Sequence, residues 1–366
     1  CFSRNCLEAD SHAFRVLMKH IREVDGGKHT IIMMQVENEV GILGSARDYH
    51  PLAEEYFHRE VPEELMKYLE ANRENLNPYL KSIWRRSEWR TSGTWSEVFG
   101  LGADEVFMAW YFACYVDSVA AAGKEEYPIP MYVNAWLGPS AYVYEEGRPG
   151  EYPSGGPVSR MLEVWRAAAP HIDLIAPDIY REDFCQVCCE YDRLGNPLLI
   201  PETIHDERSA SYVYYALGRH NALGFSPFGT DDIVDPEKHH LSECYRILSG
   251  MIPVIAGYQG TGRMMGFTDD GLYGYSHMAS MWRARARVRG FECDLGGYRL
   301  RISFTHELME RMKAILPGFQ YEARIPSGGL IIAVEDDMYI AVGVNFMLRF
   351  LPRDSFSSNV EILWVD

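Results

Sequence analysis

The sequence has no dense block of lysine and arginine, and basic residues are in the minority overall. Its 366 residues include 35 Lys and Arg against 52 Asp and Glu, a formal net charge of −17. A field of that sign repels phosphate backbones and anionic lipid headgroups. We therefore expect neither nucleic acid nor a membrane surface among the partners of this protein.

Long hydrophobic runs are also lacking. The most apolar stretch, Val106 to Val116, is followed by Asp117 and falls well short of the ~20 residues that cross a bilayer. This stretch predicts a buried core helix. The composition, 47% hydrophobic and 13% aromatic, excludes a disordered chain, and the length fits about two domains.

Signatures of a metal or a nucleotide cofactor are missing as well. The 8 cysteines include one cluster, Cys185-x-x-Cys188-Cys189, without a second CxxC or a histidine pair at zinc-ligand spacing. Small buried residues on a helix explain this cluster better. No GxGxxG follows the first predicted strand, and no Walker loop occurs in the chain. We expect no metal and no cofactor.

What the sequence does contain is a regular alternation of helices and apolar strands. Five segments read as buried strands: 30–36, 130–136, 172–179, 198–201 and 222–228. Segments with helical periodicity stand around and between them: 11–25, 61–69, 104–122, 158–169, 184–191, 208–221 and 240–251. Such alternation predicts parallel β/α architecture, either a doubly wound sheet or five strands of a (β/α)₈ barrel.

The residues at the strand ends favour the barrel. Carboxylates, amides and aromatic side chains occupy these ends, as in enzymes whose site lies at the C-terminal face of a barrel. After about Gly257 the pattern changes to glycine-rich turns and alternating segments, typical of antiparallel strands. We therefore predict the C-terminal part of a (β/α)₈ TIM barrel over residues 1–256. A smaller antiparallel, β-sandwich-like domain is predicted over 257–366.

Two of the strand-end carboxylates, Glu39 and Glu202, are candidates for catalysis. Both follow an apolar parallel strand, so they are expected at the same rim of the sheet, where two carboxyl groups could cleave a glycosidic bond. A single Glu at a strand end is more often solvated or a helix cap. Glu37-Asn38-Glu39 is different, because two acids around an amide directly after an apolar run are costly to bury without a purpose.

Amides and aromatic rings at the same strand ends would complete a carbohydrate site. Asn134 could supply amide hydrogen bonds to sugar hydroxyls. Trp136, Phe225 and Phe228 could supply flat apolar faces, although such residues are more often part of the core.

One segment resembles a known family. Residues 31–41, Ile-Ile-Met-Met-Gln-Val-Glu-Asn-Glu-Val-Gly, are similar to the fourth-strand motif of the glycoside hydrolase family 35 β-galactosidases, retaining enzymes built on (β/α)₈ barrels. The resemblance implies that Glu39 is the acid/base and that Asn38 binds the sugar 2-hydroxyl. Segments 130–136, 149–157, 176–180 and 200–202 resemble a bacterial subgroup that carries a C-terminal β domain. The sequence departs from the common family at Val40, where the family has tyrosine.

The same resemblance assigns the other carboxylate and the strand numbering. It implies that Glu202, at the end of the seventh barrel strand, is the nucleophile and that Tyr180 hydrogen-bonds it. The first strand seen here would be the fourth of eight, with strands one to three outside this chain. We expect a fragment at both ends, since the sequence begins at Cys1 and stops within a predicted strand, 360–366.

We therefore expect a retaining exo-β-galactosidase that removes terminal β-D-galactosyl residues from plant-derived oligosaccharides or polysaccharides. Two alternatives stay open. One is another retaining enzyme of the same clan, acting on β-glucosides, β-mannosides or β-arabinosides; the other is a carbohydrate-binding protein without catalysis. The expected partner is a carbohydrate, a homo-oligomer is left open, and a periplasmic or secreted location is favoured over the cytoplasm.

Overall fold

The computed structural model describes residues 1–139, 147–269, 290–316, 318 and 326–353. The α-helices within these residues are α1 (Arg4–Asp25), α2 (Pro51–Phe57), α3 (Glu63–Ala71), α4 (Pro78–Arg86), α5 (Trp95–Phe99), α6 (Ala103–Lys124), α7 (Leu162–Ala168), α8 (Phe184–Tyr191), α9 (Ser209–His220), α10 (His240–Tyr258) and α11 (Thr305–Ile315). The strands are β1 (Met34–Gln35), β2 (Met131–Trp136), β3 (Leu174–Ile179), β4 (Ile200–Thr203), β5 (Phe225–Pro227), β6 (Met264–Thr268), β7 (Phe291–Leu295), β8 (Tyr298–Phe304), β9 (Gly328–Ala333), β10 (Tyr339–Val344) and β11 (Phe346–Leu351). The strand predicted over 360–366 lies outside the described residues.

The first five strands form one curled parallel sheet in the order β1-β2-β3-β4-β5. Met34 of β1 pairs with Met131 of β2, and Asn134 of β2 pairs with Ala176 of β3. All six residues of β3 are buried, as expected of a parallel strand with both faces covered. The predicted parallel β/α architecture is confirmed at this level, and its identity as part of an eight-stranded TIM barrel stays a prediction.

The chain divides into two compact units. The first unit comprises residues 1–179 and 190–201, and the second comprises 180–189 and 202–366. The division falls within β4, between Pro201 and Glu202. The domain boundary expected after residue 256 stays a prediction.

Helix α6 is the centre of the first unit. It packs against α1, α5 and α7, and its buried residues include Val106, Phe107 and Ala113. By length and composition the stretch Trp95–Lys124 could cross a membrane. Its burial among the neighbouring helices of the unit is typical of a core helix.

A buried ion pair joins α6 to the turn that precedes α7. The Glu105 carboxyl accepts hydrogen bonds from Tyr152 Oη at 2.6 Å and Tyr79 Oη at 3.3 Å, and Arg160 Nε lies 3.2 Å from Glu105 Oε1. The Arg160 guanidinium lies over the Tyr79 and Tyr152 rings, 4.5 and 4.9 Å from their centroids. Burial raises the pKa of Glu105, and the charge of Arg160 opposes this rise.

We expect Arg160→Met to lower the free energy of unfolding by about 3–5 kcal/mol, because it leaves the Glu105 carboxylate buried without its cation. Burial then acts on Glu105 without the opposing charge of Arg160, and the pKa of Glu105 in the folded protein rises further above the unfolded value of about 4.3. The folded state then binds a proton that the unfolded chain releases, so the destabilisation grows as the pH rises above this value. Urea unfolding should show a larger loss at pH 7.5 than at pH 4.5.

The matched control is Arg85→Met on α4, where the side chain is exposed. It should change the stability by less than about 0.5 kcal/mol. An equal loss in the two variants, or a loss for Arg160→Met that does not depend on pH, would contradict the prediction.

Two antiparallel sheets form the later part of the second unit. Their strand orders are β10-β9-β6 and β11-β8-β7. Strand β8 alternates between more and less exposed residues, as expected of a strand with one covered face. One apolar core is shared by both sheets: Phe267, Ile331 and Ala333 from the first, and Leu295, Leu300, Ile302 and Phe304 from the second. The predicted antiparallel, sheet-rich C-terminal region is confirmed.

Candidate active site

A tight turn follows β1 and carries three acidic or amide side chains. The strand ends where Val36 N donates to Tyr132 O at 2.8 Å, and Glu37 and Glu39 then take left-handed backbone conformations with φ of 60° and 43°. Each such conformation costs a residue with a side chain about 1–2 kcal/mol. Two of them around Asn38 mean that other contacts must hold this turn.

The turn is bonded to the neighbouring strand β2. Glu39 N donates to Asn134 Oδ1 at 2.9 Å, and Asn134 Nδ2 donates to Asn38 Oδ1 at 3.0 Å. Asn134 is 3% exposed, whereas Asn38 is exposed. Three of the residues predicted for the site therefore lie together in the first unit.

Two further residues, neither of them assigned a role from the sequence, join this group. Gln35 Nε2 donates to Glu37 O at 2.9 Å and lies 3.0 Å from Asn38 Oδ1. The buried Asp178, at the end of β3, accepts from Asn134 Nδ2 at 2.7 Å. The strand-end position of Asp178 was visible in the sequence, but nothing local marks a glutamine within a strand as a partner of the following turn.

The second carboxylate belongs to the second unit. Glu202 lies in β4 and is half-buried, and Tyr180 Oη donates to its Oε1 at 2.5 Å. The hydrogen bond that the family resemblance implied is thus present. Phe228 N donates to Thr203 O at 2.8 Å, which fastens the residue after Glu202 to the end of β5.

The three candidate aromatic residues differ in exposure. Trp136 is 47% exposed and Phe228 is 62% exposed, although the general expectation for such residues is burial. Phe225 is buried and contacts Phe184, with ring centroids 6.1 Å apart. Trp136 and Phe228 therefore present ring surface to solvent, whereas Phe225 belongs to the core.

The segment 149–157 holds the loop after Glu39. Ile42 N donates to Ser154 O at 3.0 Å and Ser154 N donates to Ile42 O at 2.9 Å. Gly41, with φ of 149°, lies so close to Pro153 that a Cβ at this position would be 2.3 Å from the Pro153 Cβ and 2.6 Å from its carbonyl carbon. This position therefore requires glycine for both backbone conformation and space.

We expect Gly41→Ala to lower the free energy of unfolding by about 2–4 kcal/mol, because it adds backbone strain and a clash with Pro153. Gly44→Ala is the matched control, since Gly44 also has a positive φ, 78°, but a Cβ there meets nothing within 4 Å. That change should cost only about 1–2 kcal/mol. Equal losses in urea unfolding would mean that the contact with Pro153 is unimportant.

Glu37, the first acid of the turn, has a shifted pKa. Desolvation, and to a lesser degree the charge of Asp10, raise the pKa of Glu37. Glu37 is exposed as a whole residue and stands two positions before Glu39, so it is a second candidate acid in the same turn. Any assignment of a role to Glu39 therefore has to be tested against Glu37.

The cysteine cluster is packed within helices. Cys185 and Cys188 are buried, and the half-buried Cys189 lies 3.9 Å from both Tyr215 Oη and His220 Nε2. Burial acts to raise the pKa of Cys189, but the hydrogen bond and charge of His220 and the hydrogen bond of Tyr215 lower it overall. Within the part of the chain that the structure describes, no three His, Cys, Asp or Glu side chains are grouped so that they could hold a metal ion.

Comparison with known proteins adds one finding. Residues 241–366 match the profile of DUF5597, a domain of unknown function. This match covers α10 and the antiparallel sheets and leaves the parallel sheet outside. No curated protein sequence matches the chain.

Proposed function

We propose that this protein is a retaining exo-β-galactosidase, in which Glu39 is the acid/base and Glu202 is the nucleophile. The observation that carries the proposal is the turn after β1. A carboxylic acid and an amide stand side by side after the carboxyl end of a parallel strand, and the buried Asn134 amide is hydrogen-bonded to both residues. An acid in this position can protonate a glycosidic oxygen, and the amide beside it can hold the sugar through hydrogen bonds to its hydroxyls.

Glu202 and its partner Tyr180 supply the second half of the chemistry. A nucleophilic carboxylate must be ionised and aimed at the anomeric carbon, and a hydrogen bond from a phenol both favours the charged form and orients it. Tyr180 makes this hydrogen bond to Oε1. We assign the attack on the sugar to the other oxygen, Oε2.

The reaction then proceeds in two displacements. Glu202 attacks the anomeric carbon while Glu39 gives its proton to the departing oxygen, which yields a galactosyl ester of Glu202 and a free alcohol. In the second step Glu39 takes a proton from water, the hydroxide attacks the anomeric carbon, and the ester bond to Glu202 breaks. Both carboxyls return to their starting states, and galactose leaves with its original configuration.

A fluorinated substrate tests this proposal directly. The full-length protein incubated with 2-deoxy-2-fluoro-β-galactosyl fluoride should accumulate one covalent adduct. Fluorine at C2 slows both formation and hydrolysis of the ester, whereas the good fluoride leaving group at C1 speeds formation alone. Peptide mass spectrometry should find the adduct on Glu202 and not on Glu207, an exposed acid in the same segment. In a crystal structure of the protein, the Glu39 and Glu202 carboxyls should be ~5–5.5 Å apart.

Other results would select the alternatives. Aryl β-glucosides, β-mannosides or β-arabinosides hydrolysed faster than the galactoside would change the substrate and keep the mechanism. Release of α-galactose as the first product would indicate inversion and a carboxyl spacing of about 6.5–9.5 Å. Binding of galactosides without hydrolysis would favour a carbohydrate-binding protein.

A further inference from the structure

Asn134 uses its whole hydrogen-bonding capacity inside the protein. Its Nδ2 donates to Asn38 Oδ1 at 3.0 Å and to Asp178 Oδ2 at 2.7 Å, and its Oδ1 accepts from Glu39 N at 2.9 Å and from Gln35 Nε2 at 3.1 Å. A carboxamide has two donor hydrogens and two acceptor lone pairs. Both donors and one lone pair of Asn134 are in use, and the other lone pair faces the Gln35 amide, which shares its two hydrogens among Glu37 O, Asn38 Oδ1 and Asn134 Oδ1. The buried Asn134 has nothing left with which to bind a sugar hydroxyl.

These partners also determine the orientation of the amide. The backbone N–H of Glu39 can only donate, so it must face the oxygen of Asn134. The nitrogen then faces the carboxyl of Asp178, which accepts from it. Rotating the amide by 180° would break both contacts, so Asp178 orients Asn134, and Asn134 in turn holds Glu39.

The same contacts orient Asn38. Its Oδ1 accepts from Asn134 Nδ2 at 3.0 Å and also lies 3.0 Å from Gln35 Nε2, so this oxygen faces two donors within the protein. The Nδ2 donor of the exposed Asn38 amide is the group that these contacts leave for a ligand. Gln35 also donates to Glu37 O and so holds the start of the left-handed turn.

We propose that Asn134, oriented by Asp178, and Gln35 are positioning residues that keep the strained Asn38–Glu39 turn in its productive geometry, and that Asn134 does not itself contact the sugar. This inference rests on the proposed glycosidase function, because it acts through Glu39 as acid/base. The position of a reacting group strongly affects the reaction rate, since a displacement of about 1 Å can lower the rate ~10²-fold. The hydrogen bonds from Glu39 N to Asn134 Oδ1 and from Gln35 Nε2 to Glu37 O compensate the backbone strain of Glu39 and Glu37.

The test compares substrates whose leaving groups need protonation to different extents. Asn134→Ala should lower kcat/KM by about 10²-fold for phenyl β-galactoside, whose leaving group needs a proton from Glu39. For 2,4-dinitrophenyl β-galactoside, whose leaving group departs without a proton, the loss should be about tenfold smaller. A change that only weakened the fold would lower both values by the same factor.

A double-mutant cycle separates positioning from general damage. In the Glu39→Gln background there is no acid left to position, so adding Asn134→Ala should cause almost no further loss with phenyl β-galactoside. Gln35→Met is the second variant. Gln35 is half-buried and methionine is close to it in size, so the variant should fold. Its kcat/KM should fall by about tenfold and show the same dependence on the leaving group.

The control is Gln259→Met. Gln259 is also half-buried and donates to two backbone carbonyls, those of Asn221 and Ala222, but it belongs to the end of α10. Its substitution should leave the dependence on the leaving group unchanged. The positioning role alone is overturned if the wild type is active but both site variants lose activity equally with the two substrates. It is also overturned if their losses add to that of Glu39→Gln. A wild type that hydrolyses no aryl β-glycoside would overturn the proposed function and this inference with it.

Discussion

Glu202→Gly should abolish formation of the glycosyl ester and lower kcat for aryl β-galactosides on the order of 10⁵-fold or more, since removal of a covalent nucleophile leaves no equivalent path. Glycine leaves a space on the face of the sugar from which Glu202 attacks. Azide in that space should attack the anomeric carbon of an activated galactoside directly. The product should be α-galactosyl azide, of inverted configuration, identified by NMR spectroscopy.

The control for this change is Glu207→Gly in the same segment. Glu207 is exposed, so its loss should leave kcat within about twofold of wild type, as for a surface substitution remote from the chemistry. Substantial activity in Glu202→Gly without azide would show that another group is the nucleophile.

Glu39→Gly should have a different signature. With phenyl β-galactoside the rate should fall by about 10²–10⁴-fold, because no general acid protonates the leaving oxygen. With 2,4-dinitrophenyl β-galactoside the ester should still form rapidly, but it should hydrolyse slowly for want of a base. A pre-steady-state burst of dinitrophenol should therefore appear. Azide should accelerate turnover and yield β-galactosyl azide, of retained configuration.

Glu37→Gly is a closely matched control for this variant. Glu37 and Glu39 both have positive φ, 60° and 43°, so glycine relieves backbone strain at either position. Only the change at residue 39 should remove the acid. A burst and azide rescue in Glu37→Gly instead would move the acid/base role to Glu37, and azide products of one configuration from the Glu39 and Glu202 variants would show that the pair is wrong.

The sequence by itself determined the kind and order of most elements, because apolar runs and helical periodicity are local properties. Helix α8 begins and ends at the predicted residues, Phe184 and Tyr191, and β2 matches the predicted strand 130–136 within one residue. The sequence also predicted both carboxylates near the ends of parallel strands. Glu39 follows the end of β1 by four residues, whereas Glu202, predicted just after the strand 198–201, lies within β4.

Element boundaries needed the tertiary structure wherever a distant or polar group competes with the local pattern. The strand predicted over 30–36 is reduced to Met34–Gln35, because Thr30 N and Ile31 N donate to the Asp25 carboxylate and not to a neighbouring strand. The short helix α4 was not predicted from the sequence. Its cap, Asn77, is held by Glu163, 86 residues further along the chain.

The geometry of the candidate site was decided almost entirely by the tertiary structure. The residue types in Glu37-Asn38-Glu39 are visible in the sequence, but the partner of Glu39 N is Asn134, 95 residues away, and the partner of Asn134 is Asp178, 44 residues beyond. A side-chain hydrogen bond depends on atoms placed within a few tenths of an ångström, and no periodicity of one strand encodes where the next strand brings its amide. The sequence therefore determined the acids and the strands that carry them, and only the packing of β1, β2 and β3 side by side decided that the buried amide of Asn134 holds one of those acids in place.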